Sequence, residues 1–180
     1  IFTLEQFEVE IGGKKYKRDV LDHKPAVCIL VKYQDSFVFV KQIRYGIMKK
    51  TLEIPAGLVD DGEDLEVACS RELQEEIGLK PLSLQYFYSL YAVPAYCNEV
   101  VHFFFADQFE ESILPADEDE DIEIVKLTEA ETINELNKPN TMFDAKTIIA
   151  LQHYLLKHTC ILVLFLYLSF FHLEENIQCF

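Results

Sequence analysis

Three glutamates, Glu72, Glu75 and Glu76, stand within five positions of a stretch with helical spacing. Side chains four apart on a helix lie one turn apart on one face, so Glu72 and Glu76 present two carboxylates to one place, and Glu75 can reach its edge. Like charges at this spacing repel by roughly 0.2–0.5 kcal/mol per pair. Clustered carboxylates suit hard cations such as Mg2+ or Mn2+. The cluster is therefore compatible with a metal site, although by itself it is more typical of a solvated helix face without chemistry.

The surrounding residues extend this cluster into a longer pattern. From Gly57 to Leu79 the chain follows G-x5-E-x7-R-E-U-x-E-E-x-G-U, in which x is any residue and U is apolar. This pattern resembles the Nudix box, and every fixed position of the motif is filled. By this resemblance the chain is identified as a member of the Nudix hydrolase superfamily.

The resemblance implies an α/β fold, the Nudix α/β/α sandwich with a mixed sheet, in which the box forms a loop, a helix and a second loop. It implies hydrolysis of a nucleoside diphosphate linked to another group, with Mg2+ as the expected cofactor and Mn2+ as the alternative. The implied metal ligands are Glu72, Glu75, Glu76 and the backbone carbonyl of Ala56. The implied structural residues of the motif are Gly57, Glu63, Arg71 and Gly78.

Features outside the box, from about residue 18 to residue 158, resemble the ADP-ribose (ADP-sugar) pyrophosphatases. "VKQIRYG" places Arg44 where that subfamily contacts substrate phosphate; the alternative is that Arg44 only closes a hairpin. "LEIPAGLVDDGE" places Glu53 at the edge of the site, and a structural salt bridge is its alternative role. Pro94 comes 15 residues after the box, at the marker proline of the subfamily. The usual flanking Ser and Gly are replaced by Val93 and Ala95, which leaves the choice of sugar open.

The acidic run "DEDEDIEIV" resembles the loop before the last strand of bacterial members. By that match Glu118 is the expected general base and Glu120 a further metal ligand, with Glu75 and Glu76 completing the catalytic group. Taken by itself, the run is typical of a solvated loop.

Arg18 matches an arginine that reaches substrate in relatives whose N-terminal strands exchange across a homodimer. Adenine stacks on aromatic side chains there, and since this chain has no Trp, Tyr16 or Phe7 would have to serve. We therefore expect a homodimer, with substrate contacts from Arg18, Arg44, Glu53 and Pro94.

The elements that position these residues are predicted from patterning. Alternating residues on both sides of Gly12-Gly13 predict an N-terminal strand pair, and helical spacing predicts a helix over Gly62–Ile77. Further strands are predicted over Ala26–Tyr33, Ser36–Ile43, Thr51–Ile54, Leu82–Val93, Glu99–Phe109 and Ile122–Leu127. Further helices are predicted over Glu129–Leu136, capped by Thr128, and over Thr141–His158. The expected organisation is an N-terminal hairpin region over 1–24, available for exchange in a dimer, a Nudix domain over 25–158, and an apolar tail of unknown role over 159–180.

Composition narrows the classes of partner. The net charge is −15 in 180 residues, which disfavours binding to nucleic-acid phosphate. The five cysteines have wide, irregular spacings and indicate a reduced, cytoplasmic setting. The apolar run Cys160–Phe171 is shorter than the roughly 20 residues of a membrane span, so we expect no membrane anchor.

Other functions remain compatible with the box. Another nucleotide sugar, such as ADP-glucose, UDP-glucose or GDP-mannose, could be the substrate of the same chemistry. A Nudix-fold module that binds a nucleotide without cutting it usually loses box glutamates, whereas all are present here. Enzymes for nucleoside triphosphates tend to lack the N-terminal strands, and mRNA-cap enzymes require a basic surface, so both are less favoured.

Overall fold

The computed structural model describes residues 2–115 and 121–158. Its strands are β1 (Phe2–Ile11), β2 (Lys14–His23), β3 (Ala26–Tyr33), β4 (Ser36–Arg44), β5 (Lys49–Glu53), β6 (Ala56–Leu58), β7 (Leu79–Pro81), β8 (Gln85–Tyr91), β9 (Val100–Ala106), β10 (Phe109–Glu111) and β11 (Glu123–Thr128). Its helices are α1 (Leu65–Glu76), α2 (Glu129–Leu136) and α3 (residues 145–158).

Seven of the described strands form one mixed sheet. The order is β11-β4-β3-β9-β8, with β5 paired to β4 and β6 paired to β3. Strands β3 and β9 are parallel, and the other neighbours are antiparallel. The predicted mixed α/β class is therefore confirmed.

The N-terminal strand pair is also confirmed. β1 and β2 are antiparallel over their whole length, from Phe2 opposite His23 to Ile11 opposite Lys14. The two turn residues, Gly12 and Gly13, have φ of +60° and +76°. Glycine adopts both values without strain, so this pair suits the tight two-residue turn that sets the register of the hairpin.

One buried apolar cluster lies between the sheet and α1. Alternate residues of β3 (Val27, Ile29 and Val31) share one face of the sheet, because side chains alternate along a strand. This face joins a buried cluster with Ala68, Cys69, Leu73 and Ile77. Burying one such aliphatic side chain contributes about 1.5–3 kcal/mol. The contact therefore fixes which face of α1 is turned towards the sheet.

Two helices begin later than predicted, and a capping aspartate explains each start. Asp64 accepts a hydrogen bond from the Glu66 N–H at 2.9 Å, so α1 begins at Leu65 and not at Gly62. Asp144 accepts from the Thr147 N–H at 3.0 Å, and α3 begins at residue 145 and not at 141. Helix α1 ends at Glu76, one residue before the predicted end, and Gly78 after it has φ of +69°, the value of a glycine that follows a helix.

The strand predictions were correct in place and less accurate in extent. β8 and β9 are shorter than the predicted segments, and β5 is displaced towards the preceding turn. Sequence patterning missed β6, β7 and β10, because three residues are too few to show a period of two. Helix α2 has the predicted bounds, and Thr128 forms a capping box with Glu131.

The chain divides into two compact units, and the first ends at Thr147. The second begins at Ile148, and its described residues continue helix α3 to residue 158. Over residues 2–115 and 121–158, none of the helices has the length and apolar character needed to cross a membrane.

Candidate active site

Strand β6 carries the backbone against which α1 places a buried glutamate. The buried side of α1 includes Leu73 and Glu76. Glu76 is only 6% exposed, and its Oε2 accepts a hydrogen bond from the Ala56 N–H at 3.2 Å. Because apolar packing of Leu73 fixes the rotation of the helix, the Glu76 carboxylate is held beside the Ala56 backbone.

The Glu72 carboxylate lies against Gly57, the next residue of this strand. A Cβ added to Gly57 would lie 1.9 Å from Glu72 Cδ, and 2.0 and 2.2 Å from its two oxygens. Real Cβ atoms do not approach other atoms so closely. Glycine at position 57 therefore opens the space that the Glu72 carboxylate fills, and the requirement comes from this approach rather than from a positive φ.

The carboxylate oxygens of the glutamate cluster are of the chemical type that binds a hard divalent cation. Glu72 and Glu75 are half-buried and Glu76 is buried, and carboxylate oxygens are the ligands that Mg2+ and Mn2+ prefer. Among the residues that the structure describes, no three acidic, histidine or cysteine side chains are arranged as a ready metal-binding group. Arg71 Nη1 donates to Glu72 Oε1 at 2.6 Å and to Glu75 Oε2 at 3.1 Å. A cation would therefore compete with Arg71 for these two carboxylates.

Arg71 also ties α1 to the loop that precedes it. Its Nε and Nη2 donate to the two oxygens of Glu63, each at 3.0 Å, and Nη2 also donates to the Leu58 carbonyl at 2.9 Å. The hydrogen bond with Glu63 raises the pKa of Arg71 and lowers the pKa of Glu63. Arg71 thus joins strand β6, the loop and the helix at one guanidinium.

We expect Arg71→Ala to lower the free energy of unfolding by about 1–3 kcal/mol, because it leaves Glu63, Glu72 and a backbone carbonyl without their shared donor. Chemical denaturation measures the change. The matched control is Lys80→Ala, which removes an exposed ion pair with Glu110 and is expected to cost less than about 1 kcal/mol. Equal stability of the two variants would contradict the role of Arg71 in joining the loop to the helix.

A second charged group lies on the β4–β5 ladder around Glu53. Arg44 donates side-on, with Nε to Oε1 at 2.7 Å and Nη2 to Oε2 at 2.6 Å. Thr51 Oγ1 donates to Oε1 at 2.5 Å and Lys146 Nζ to Oε2 at 2.7 Å. Burial raises the pKa of Glu53, but the bonds from Arg44 and Lys146 outweigh it and hold this pKa well below its ordinary value.

This geometry bears on the two roles considered for Arg44 and Glu53. Glu53 is 1% exposed and each of its oxygens accepts two hydrogen bonds, so it forms salt bridges with Arg44 and Lys146. Its role towards a substrate stays a prediction. The Arg44 side chain is 45% exposed. Its pairing with Glu53 uses Nε and one N–H of Nη2, and its other three N–H donors have no hydrogen bond to the residues that the structure describes.

Sequence reasoning missed Lys146, Asp144 and Thr147. Lys146 pairs with both Glu53 and Asp144, and Thr147 Oγ1 accepts from the Ile54 N–H at 2.8 Å. The sequence predicted only a helix over Thr141–His158 in this part of the chain. Nothing in the local sequence connects Lys146 with a glutamate 93 positions earlier.

Arg18 and Pro94 lie in a different part of the first unit. Arg18 is exposed on β2, donates to the Lys17 carbonyl at 2.9 Å and stacks 5.5 Å from the centre of the Tyr16 ring. Pro94 is in a turn that bonds to β2 through the Leu21 N–H and the Tyr96 carbonyl, at 2.7 Å. An open depression of about 290 Å³ is lined by Val20, Tyr91, Pro94, Tyr96, Cys97 and Asn98.

Arg18 and Pro94 are not bonded to the glutamate cluster in the part of the chain that the structure describes. Neither Arg18 nor Pro94 has a hydrogen bond or ion pair with Glu72, Glu75 or Glu76 in the described part of the chain. Glu118 and Glu120, and the tail over 159–180, lie outside the described residues. Their roles stay predictions.

Comparison with known families adds one match that covers most of the chain. The family model described as "NUDIX domain" matches residues 22–151. The match includes the β6–α1 region and the Glu53 group, and it begins within β2.

Relatives with named activities cover a similar extent. An "ADP-ribose pyrophosphatase" of Bacillus subtilis (strain 168) is 34% identical over 154 residues, which is 83% of each chain. A "Methanol dehydrogenase activator" of Bacillus methanolicus is 31% identical over 85% of this chain and 84% of the relative. A "GDP-mannose pyrophosphatase" of Shigella flexneri serotype 5b (strain 8401) is 28% identical over 87% and 90%.

A solved structure agrees with the fold. The crystal structure of an "ADP compounds hydrolase" superposes with a TM-score of 0.76, at 25% identity, and covers 88% of both chains.

Proposed function

This chain belongs to the Nudix hydrolase family, and from that premise we propose that it hydrolyses the pyrophosphate bond of ADP-ribose, with Mg2+, to AMP and ribose 5-phosphate. It is a hydrolase by family, and its relatives include enzymes named for nucleoside diphosphate sugars. The observation that carries the proposal is the placement of the Glu72 and Glu76 carboxylates against the Ala56–Gly57 backbone.

The residues proposed to hold the cation are Glu72, Glu75, Glu76, the Ala56 carbonyl and Glu120. A bound divalent cation neutralises diphosphate charge and lowers the pKa of the attacking water. The chain itself supplies position: Leu73 packing fixes the rotation of α1, and Gly57 leaves room for the Glu72 carboxylate. Glu118 is proposed as the group that accepts the proton from the water.

Arg44 is proposed to bind the diphosphate. Glu53 holds the Nε and Nη2 edge of its guanidinium, so three of its five N–H donors remain for phosphate oxygens. Such charge-assisted bonds orient a phosphoryl group before reaction. Glu53 then contributes to substrate binding through Arg44, and not by touching the substrate.

The nucleoside is proposed to bind where the N-terminal hairpin meets the Pro94 turn. Arg18, with Tyr16 beside it, is exposed on β2, and Phe7 lies opposite Arg18 on β1. The proposal includes a homodimer in which the 1–24 hairpin contributes to the partner's site, and a cytoplasmic location. A monomer in sedimentation equilibrium would contradict the dimer.

GDP-mannose is the second candidate substrate. A relative bears that activity in its name, and Val93 and Ala95 replace the usual neighbours of the marker proline. A module that binds without cutting is disfavoured, because every glutamate of the box is present.

The test is hydrolysis of a panel of substrates by the pure protein with Mg2+, with Mn2+ and with a chelator. The panel contains ADP-ribose, ADP-glucose, UDP-glucose, GDP-mannose and dinucleoside polyphosphates. We expect the highest kcat/KM for ADP-ribose, with AMP and ribose 5-phosphate as products, and no turnover after chelation. A preference for GDP-mannose would replace the substrate assignment, and turnover that survives chelation would overturn the metal requirement.

A further inference from the structure

The segment from Met142 to Thr147 is bonded to three successive residues of the chain that leads into the active site. The Leu52 N–H donates to the Met142 carbonyl at 2.8 Å, and the Ile54 N–H donates to Thr147 Oγ1 at 2.8 Å. Between them, Lys146 Nζ reaches Glu53 Oε2 at 2.7 Å. The segment therefore fixes the strand just before Ala56 and Gly57.

Glu53 is where this segment meets Arg44. Its carboxylate has two oxygens, and each accepts two hydrogen bonds: Oε1 from Arg44 Nε and Thr51 Oγ1, Oε2 from Arg44 Nη2 and Lys146 Nζ. A buried carboxylate is stable only when its lone pairs are satisfied. Loss of Lys146 would leave Oε2 with the single bond from Arg44.

Two carboxylates fix the position of the Lys146 side chain. Its ammonium group lies between the carboxylates of Glu53 and Asp144, and Asp144 is held as the cap of α3 by the Thr147 N–H. Nearby carboxylates raise the pKa of Lys146 against the lowering effect of burial. Asp144, Lys146 and Glu53 thus form a series of ion pairs that ends at Arg44.

We propose that Lys146 is a positioning residue for Arg44: through Glu53 it holds the guanidinium side-on, with its other edge presented to the substrate diphosphate. This inference rests on the proposed function. Without Lys146, Glu53 would turn towards solvent to recover a hydrogen bond, and Arg44, bonded to it twice, would move with it. The cost would fall on substrate affinity more than on the chemical step.

The test combines Lys146→Met, Lys146→Arg, Arg44→Ala and the double variant of Lys146→Met with Arg44→Ala. Steady-state kinetics with ADP-ribose give KM and kcat. Calorimetry with the α,β-methylene analogue of ADP-ribose gives Kd without turnover. Lys41→Met is the matched control, because Lys41 lies on the same strand as Arg44 and its ion pair in the described part of the chain is an exposed one, with Glu123 at 3.9 Å.

We expect Lys146→Met to raise KM and Kd about tenfold, with a smaller change in kcat, and Lys146→Arg to restore most of the affinity. In the Arg44→Ala background, Lys146→Met should change KM and Kd very little, because the guanidinium that Lys146 is proposed to position is absent. Lys41→Met should match the wild type.

Two results overturn the proposal. One is unchanged affinity in Lys146→Met; the other is an effect of equal size with and without Arg44, since a lysine that only stabilises the fold would give additive losses. Denaturation curves of all variants identify any that unfold. If Lys146→Met is unfolded, the affinities of Lys146→Arg with and without Arg44→Ala are compared in its place. If the wild type neither binds the analogue nor cleaves ADP-ribose, the proposed function fails, and this inference fails with it.

Discussion

Glu76→Gln is expected to lower kcat by about a thousandfold while the protein stays folded. The amide keeps the shape of the carboxylate and can still accept a hydrogen bond from the Ala56 N–H. It loses the negative charge that a divalent cation needs at this position. The substitution also removes one partner of the Glu72–Glu76 repulsion, so the free energy of unfolding should change by less than about 1 kcal/mol.

Glu66→Gln is the control for this substitution. Glu66 lies on the same helix and is exposed. Its substitution removes the same charge as Glu76→Gln, but away from the glutamate cluster. Rates of ADP-ribose hydrolysis at saturating Mg2+ and calorimetric titration with Mn2+ compare the two variants. Wild-type turnover in Glu76→Gln, or equal losses in both variants, would remove the glutamate cluster from the chemistry.

Gly57→Ala is expected to abolish most activity through one methyl group. The added Cβ would overlap the Glu72 carboxylate, with its nearest atom at 1.9 Å. The carboxylate is at the end of a flexible side chain, so it can rotate away and the fold can survive at a cost of about 1–2 kcal/mol. Its new position would no longer be beside Glu76, and kcat should fall by at least about a hundredfold.

Gly46→Ala tests whether any added methyl group has this effect. A Cβ at Gly46 meets nothing within 4 Å, so wild-type activity is expected. The Mn2+ affinity of Gly57→Ala, measured beside its thermal denaturation, separates a displaced ligand from an unfolded protein. A Gly57→Ala variant with normal activity would show that Glu72 does not act from the position seen here.

Much of the site could be predicted because its residues are close in sequence. Glu72 and Glu76 share a helix face by the geometry of a single helix, and Gly78 ends that helix by its own conformation. The Gly12-Gly13 turn likewise sets the register of the hairpin without help from the rest of the chain. Family resemblance then supplied roles for residues that local geometry cannot assign.

The pairing of Arg44 with Glu53 could not be predicted from residues close in sequence. The sequence left phosphate binding and a structural contact as alternatives, and the structure shows one edge of the guanidinium on Glu53. That pair exists because β4 and β5 are adjacent in the sheet. Lys146 adds a contact across 93 positions, which no periodicity indicates.

The sequence by itself determined the spacing of the box, the helix that carries it and the mixed α/β class, since these follow from local conformation and from alternating or helical patterns. Only the tertiary structure decided that Gly57 faces Glu72, that Arg71 lies between two of the glutamates, and that Lys146 supports Glu53. The reason is physical: a side chain's partner is set by where the packed sheet and helix place other parts of the chain, and that placement results from burial of the whole core.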